Sequence, residues 1–166
     1  MIDQERADLL DTLTKHRGLL KQAVRGITDE QAIERTTVSE LCLGGLIKHL
    51  ARMETRWLGF IQHGTAAMAM TPQSRQAHVD SFRMAPGETL AAVVSDYEQV
   101  ARRTDEAIAA LPSLDASHLL PESPWFPPGV AWSARRVLLH IVAEIAQHAG
   151  HADIIREALD GAKTMG

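Results

Sequence analysis

Ser133-Ala-Arg-Arg-Val-Leu-Leu-His140-Ile-Val-Ala-Glu144-Ile-Ala-Gln-His148-Ala-Gly-His151-Ala-Asp-Ile-Ile-Arg-Glu157-Ala-Leu-Asp160-Gly161 decides the fold of this chain. Val137, Leu138, Ile141, Ile145, Ile154, Ile155 and Leu159 recur with helical spacing and predict one long helix. Ser133 supplies an N-cap, and Asp160-Gly161 a stop. At about 100° per residue, Glu144 and His151 fall between His140 and His148, and the four polar groups span only about 80° of arc. Polar and charged groups among core residues are costly unless something pairs with or coordinates them. A metal ion would resolve that conflict.

Three more helices lie upstream. Residues of roughly 3–25 carry Leu9, Leu10, Leu13, Leu20 and Val24 at helical spacing, with Gly26 as a stop. A second helix begins between Ser39 and Leu43 and runs to about Gln62, with Leu46, Leu50, Met53, Trp57, Phe60 and Ile61 as its apolar stripe. Thr37-Val-Ser-Glu40 fits a capping box for it, and Ser39 or Cys42 are alternative starts. A third starts near Pro86-Gly87-Glu88, carries Leu90, Val93, Val94, Tyr97, Val100, Thr104 and Ile108, and ends at Pro112. No stretch alternates with period two, so no sheet is expected. The fold class is all-α, a four-helix bundle in one domain over residues 1–166, with two long inter-helix connections at 64–86 and 112–132.

Bulk properties narrow the function classes. Of 166 residues, 45% are hydrophobic and 23% charged, which is ordinary for a globular protein with its own core. The net charge of -4, with lysine and arginine scattered, argues against a nucleic-acid partner. Cys42 is the single cysteine, so there is no internal disulfide or cysteine-rich zinc cluster, and a small core role is expected for it. The polar N-terminus Met1-Ile-Asp-Gln-Glu-Arg is unlike a secretory signal, and no apolar run has the length of a membrane span. A cytoplasmic protein that does not bind membranes is the expectation.

On the second helix His49 lies at the edge of the apolar stripe, near Met53 and Phe60 in projection. Glu144 and His148 are one turn apart, a spacing that lets two side chains of one helix grip one ion. A histidine from a facing helix completes two imidazoles and a carboxylate, a set suited to zinc, nickel, iron(II) or manganese that leaves positions open. The residues alone leave His49 as a hydrogen-bonded core histidine and Glu144–His148 as an i,i+4 ion pair equally open. Trp125, Phe126 and Trp132 either line a pocket or plug one end of the bundle. His63, His78 and His118 are expected in or beside loops and exposed to solvent.

The stretch Thr36-Thr-Val-Ser-Glu-Leu-Cys-Leu-Gly-Gly-Leu-Ile-Lys-His49-Leu-Ala-Arg-Met-Glu-Thr-Arg-Trp57, with the Ser133–Glu157 segment downstream, resembles the DinB/YfiT-like superfamily, and most of all its actinobacterial branch. The resemblance covers nearly the whole chain. It implies a four-helix bundle with a divalent ion between helices, held by three side chains, and often a homodimer. His49 matches the helix 2 ligand, and His148 the second histidine of the family's H-x-x-x-H-R-G-Q motif. Glu144 replaces that motif's first histidine, a pattern similar to mycothiol-dependent maleylpyruvate isomerase. His151 stands at the glutamine position, where a fourth ligand, an orienting partner or a proton-handling catalytic group would sit.

Members of this superfamily with known activity include thiol-dependent transferases and isomerases, so the resemblance implies activation of a mycothiol-like thiol for S-transfer to, or isomerisation of, a small electrophile. A coordinating thiol is deprotonated, and the thiolate is the nucleophile. Arg52 and Arg56, one and two turns beyond His49, are candidates to bind a carboxylate of the thiol cofactor, against the usual fate of surface arginines. The alternatives are a metal-dependent hydrolase using metal-bound hydroxide and a metal- or ligand-binding stress protein without turnover.

Overall fold

Asp3 accepts a hydrogen bond from the Arg6 backbone N–H and starts helix α1 (Gln4–Ala23), after which Gly26 turns the chain at φ +75°. In this computed structural model the described residues are 3–164. Met1, Ile2, Met165 and Gly166, the ends of the expected domain, lie outside them, as does the start of the polar N-terminal segment.

A capping box does occur before the second long helix, but not at Thr37. Thr28 and Gln31 form it, and it opens a short helix, α2 (Asp29–Ile33), that the periodicity did not reveal because five residues show no period. The long helix α3 (Leu43–His63) has Cys42 at its N-cap with no side-chain cap bond, so tertiary burial of Leu43, Gly44, Gly45, Leu46 and Ile47 fixes its start instead. Gly64 ends it at φ +71°.

The 64–86 connection is largely ordered. A 3-10 turn (Gly64–Met68) leads to α4 (Pro72–Asp80), capped by Thr71 with Pro72 in the first turn. Helix α5 (Leu90–Ala110) begins at the Thr89 cap, later than Pro86. Glu88 is held outside it: its carboxylate accepts from the Ala85 N–H and from Lys48 Nζ, the latter at 2.7 Å. Against expectation there is a small antiparallel ladder, β1 (Ser117–Leu119) with β2 (Ala131–Ser133). Three-residue strands are too short to show alternation. Helix α6 (Ala134–Asp160) runs from the Ser133 cap to left-handed Gly161.

Polar contacts between helices define the topology. Arg135 pairs with Glu5 at one end of α1, and Arg156 donates to the Ala23 and Arg25 carbonyls at the other, so α6 runs parallel to α1. Arg6 with the Leu111 carbonyl, and Lys21 with Glu98, set α5 antiparallel to α1. His49 lies beside His148 and Trp57 beside His140, so α3 opposes α6. The bundle is therefore up-down-down-up. Because α3 and α5 run the same way, residues 64–89 must return along the length of the bundle, passing beside α3.

The core holds Leu13, Leu20, Leu46, Leu50, Phe60, Tyr97, Ile108, Leu138, Ile141 and Ile145, all fully enclosed. Ile154 is not part of it: at 62% exposure it sits about 100° around the helix from buried Ile155. Two charged residues stand in the core unannounced. Arg17 is aligned with Leu13 and Leu20 on α1, and Glu54 lies among the apolar residues of α3; they form an ion pair, and Arg17 also reaches Asp105 at 2.7 Å. A charge at a core position of each stripe was the signal available in the sequence.

Candidate metal centre

His49 points inward from α3 because it follows the same buried face as Leu46, Leu50 and Met53. Opposite, Glu144 and His148 occupy successive turns of α6. One potential ligand atom from each of the three lies within 4.8 Å of the other two. The structure thus brings together the three side chains proposed from sequence as ligands.

Their electrostatics suit a cation. Burial, then the neighbouring His148, pull His49 down to about 3. Burial, then His151, pull His148 down to about 4. Both imidazoles are therefore neutral near neutral pH, the form that ligates a metal. Burial pushes the Glu144 carboxyl up. Its closest cationic candidates are His140 Nε2 and His148 Nε2, each at 3.8 Å, and no lysine or arginine pairs with it among the described residues. A half-buried carboxylate between two neutral imidazoles lacks the positive charge that a divalent ion would supply. The donor set fits such an ion.

The surrounding residues divide clearly. His49 Nδ1 is 3.1 Å from Ser81 Oγ, and its ring stacks on Phe82 at 3.8 Å. His151 Nδ1 lies 3.3 Å from His148 Nδ1, outside the set of three. His140 does not hydrogen-bond to Glu144; its ring packs edge-on against Trp57 and Trp132. Cys42 is buried near the Phe82 carbonyl and is not among the clustered ligands. His118 is half-buried rather than exposed, because its Nε2 reaches the Ile61 carbonyl at 3.2 Å.

A cavity of about 550 Å³ opens beside His49 and Glu144. Trp57, Trp125 and Phe126 line it, while Trp132 stacks on Trp57 from behind. Arg52, Arg56 and Arg75 give it positive charge. Arg52 donates to the Ser74 carbonyl and Arg56 to the Met68 carbonyl, each at 2.9 Å, which fixes both guanidinium groups against the crossover. His78 is exposed as expected, yet it stands on the cavity wall with its ring 5.4 Å from that of His49. Sequence reasoning missed Arg75, His78, Ser81 and Phe82 because the path of the crossover carries no periodic signal.

A family model for mycothiol-S-transferase matches residues 8–161. No curated protein gives a significant sequence match. Among solved structures, a conserved protein from Enterococcus faecalis has the same fold at 14% identity and TM-score 0.66, covering 98% of this chain and 99% of that one. The family match includes α3, α6 and everything between them. The chain belongs to the mycothiol-S-transferase family, within the DinB/YfiT-like superfamily.

Proposed function

We propose that this chain, acting as one cytoplasmic domain, is a divalent-metal-dependent S-transferase that joins a low-molecular-weight thiol of the mycothiol type to a small electrophile. The observation that carries this is the convergence of His49, Glu144 and His148 beside the arginine- and aromatic-lined cavity. These three residues would hold zinc or nickel, with iron or manganese also compatible with the donor set. When bound, the ion keeps a coordinating thiol ionised at neutral pH. Arg52 and Arg56 orient polar and anionic groups of the thiol or electrophile. Trp57 and Phe126 exclude water from the cavity wall that they form. The sulfur bonds to the electrophilic carbon as the leaving group departs with its electron pair, and the thiol proton passes to solvent. His151, behind His148, is assigned the orientation of that ligand through their Nδ1 atoms.

The test is turnover of an alkylating electrophile by zinc-loaded protein, with and without added thiol. Turnover that requires both metal and thiol is expected. Thiol-independent hydrolysis of an ester would favour the hydrolase, and metal binding with no turnover a binding protein.

The same proposal includes a homodimer, supported by the outer face of α6. Arg136, Leu139, Ala143, Gly150, Ile154 and Glu157 are all exposed and occupy about 60° of one face. The order is self-complementary: in an antiparallel pair, Arg136 meets the other copy's Glu157 position, Leu139 the Ile154 position and Ala143 the Gly150 position. A two-fold interface requires such reciprocity. Ile154→Asp is expected to halve the mass measured by light scattering, without loss of helicity. A wild-type monomer, or a variant that stays dimeric, would refute this interface.

A further inference from the structure

Gly44 and Gly45 open α3 just over one turn before His49, and the returning crossover lies directly on them. A Cβ on Gly45 would come within 2.0 Å of the Phe82 carbonyl oxygen, and one on Gly44 within 2.1 Å of Met84 Sδ. Glycine at both positions lets residues 82–84 rest against the first turn of α3. The Lys48–Glu88 ion pair then pins the exit of the crossover to the same turn.

This seating delivers two side chains to His49. The Phe82 ring stacks on the imidazole with only 19° between planes, which limits its rotation. Ser81, 2% exposed, places its hydroxyl 3.1 Å from His49 Nδ1. A serine hydroxyl has one proton, and Ser81 donates it to the His78 carbonyl oxygen at 2.6 Å. Toward His49 its oxygen can therefore only accept. In the neutral imidazole, Nδ1 then carries the proton and Nε2 keeps the free lone pair.

We propose that Ser81 is a positioning residue of the metal centre, fixing through the chain His49 Nδ1–H to Ser81 Oγ to His78 C=O both the tautomer and the ring orientation of His49. Nε2 is thereby ready to ligate before an ion arrives. The functional consequence rests on His49 being a metal ligand, as proposed above; the hydrogen-bond assignment does not. Orienting partners of this kind change metal affinity by about 10–100-fold when removed.

Nitrogen-15 imidazole spectra of the metal-free protein test the assignment directly. The wild type is expected to show His49 as the Nδ1-protonated tautomer, identified by comparison with His49→Ala. In Ser81→Ala the Nε2-protonated form should gain population and zinc affinity should fall at least about tenfold, while Ser81→Thr, which keeps the hydroxyl, should restore both. A wild-type His49 protonated on Nε2, or a Ser81→Ala variant with unchanged tautomer and affinity, would overturn the proposal. The wild-type spectrum decides the hydrogen-bond assignment even if Ser81→Ala fails to fold. An Nδ1-protonated His49 in a protein that binds no zinc would instead remove the metal function and leave that assignment standing.

Discussion

Replacing His148 by alanine is expected to leave a folded protein that retains no divalent ion and joins thiol to electrophile at least about 100-fold more slowly. The change deletes one of three donors, and the remaining His49 and Glu144 cannot hold an ion firmly between two separate helices. Folding should survive, because His148 is a neutral imidazole at the core edge whose one hydrogen-bond contact among the described residues is His151. Glu144→Gln keeps the shape and removes the charge, so it should lose metal too, with an even smaller effect on thermal unfolding. Elemental analysis of the variants beside wild type is the measurement. Full metal content in both would exclude the three-residue centre.

Arg17→Met should produce the largest loss of stability among changes distant from that centre, about 3–5 kcal/mol. Arg17 and Glu54 are almost completely enclosed, and burial pushes the Glu54 carboxyl up against the pull of the guanidinium. Removing the arginine leaves a carboxylate in the core with no counter-charge, beside the buried Tyr97, whose hydroxyl is itself held above its usual range by burial and by Glu54. Restoring apolar character on both sides should repair most of the damage, since a buried pair is often replaceable by packed hydrophobic residues. The double variant Arg17→Met with Glu54→Leu is therefore expected to unfold at a higher denaturant concentration than the single one. A double variant no more stable than Arg17→Met would show that the pair contributes more than mutual compensation. The midpoint of thermal unfolding should fall by roughly 6–20 °C in the single variant, at about 2–4 °C per kcal/mol for a chain of this size.

The four long helices were legible because each leaves a periodic mark, and the same periodicity made the three clustered side chains candidates that the family resemblance then matched to a ligand set. His49, Glu144 and His148 interrupt apolar stripes at positions that face one another once the helices pack. Ser81 and His78 leave no such mark. Their roles come from a crossover whose route depends on α3 and α5 running in the same direction, and that direction was readable only from contacts such as Lys48 with Glu88. The capping box at Thr28 was hidden for a related reason: its helix is too short for a pattern, while Thr37-Val-Ser-Glu40 had the right letters in a segment that never becomes helical. Arg17 and Glu54 also interrupt apolar stripes, but nothing in the chain announces that they pair with each other.

The two connections that wall the cavity differ in their freedom to change. The stretch with Pro121, Trp125 and Phe126 contributes surface to the cavity, makes no hydrogen bond to the clustered histidines or Glu144 among the described residues, and leaves Trp125 74% exposed. Its sequence can drift, or be exchanged by design, to admit electrophiles of another shape while the rest of the molecule stays as it is. The crossover has no such latitude. Any replacement there must still carry a hydroxyl to His49 and still lie flat on two glycines, so new substrate preferences are expected to arise first on the proline-rich side.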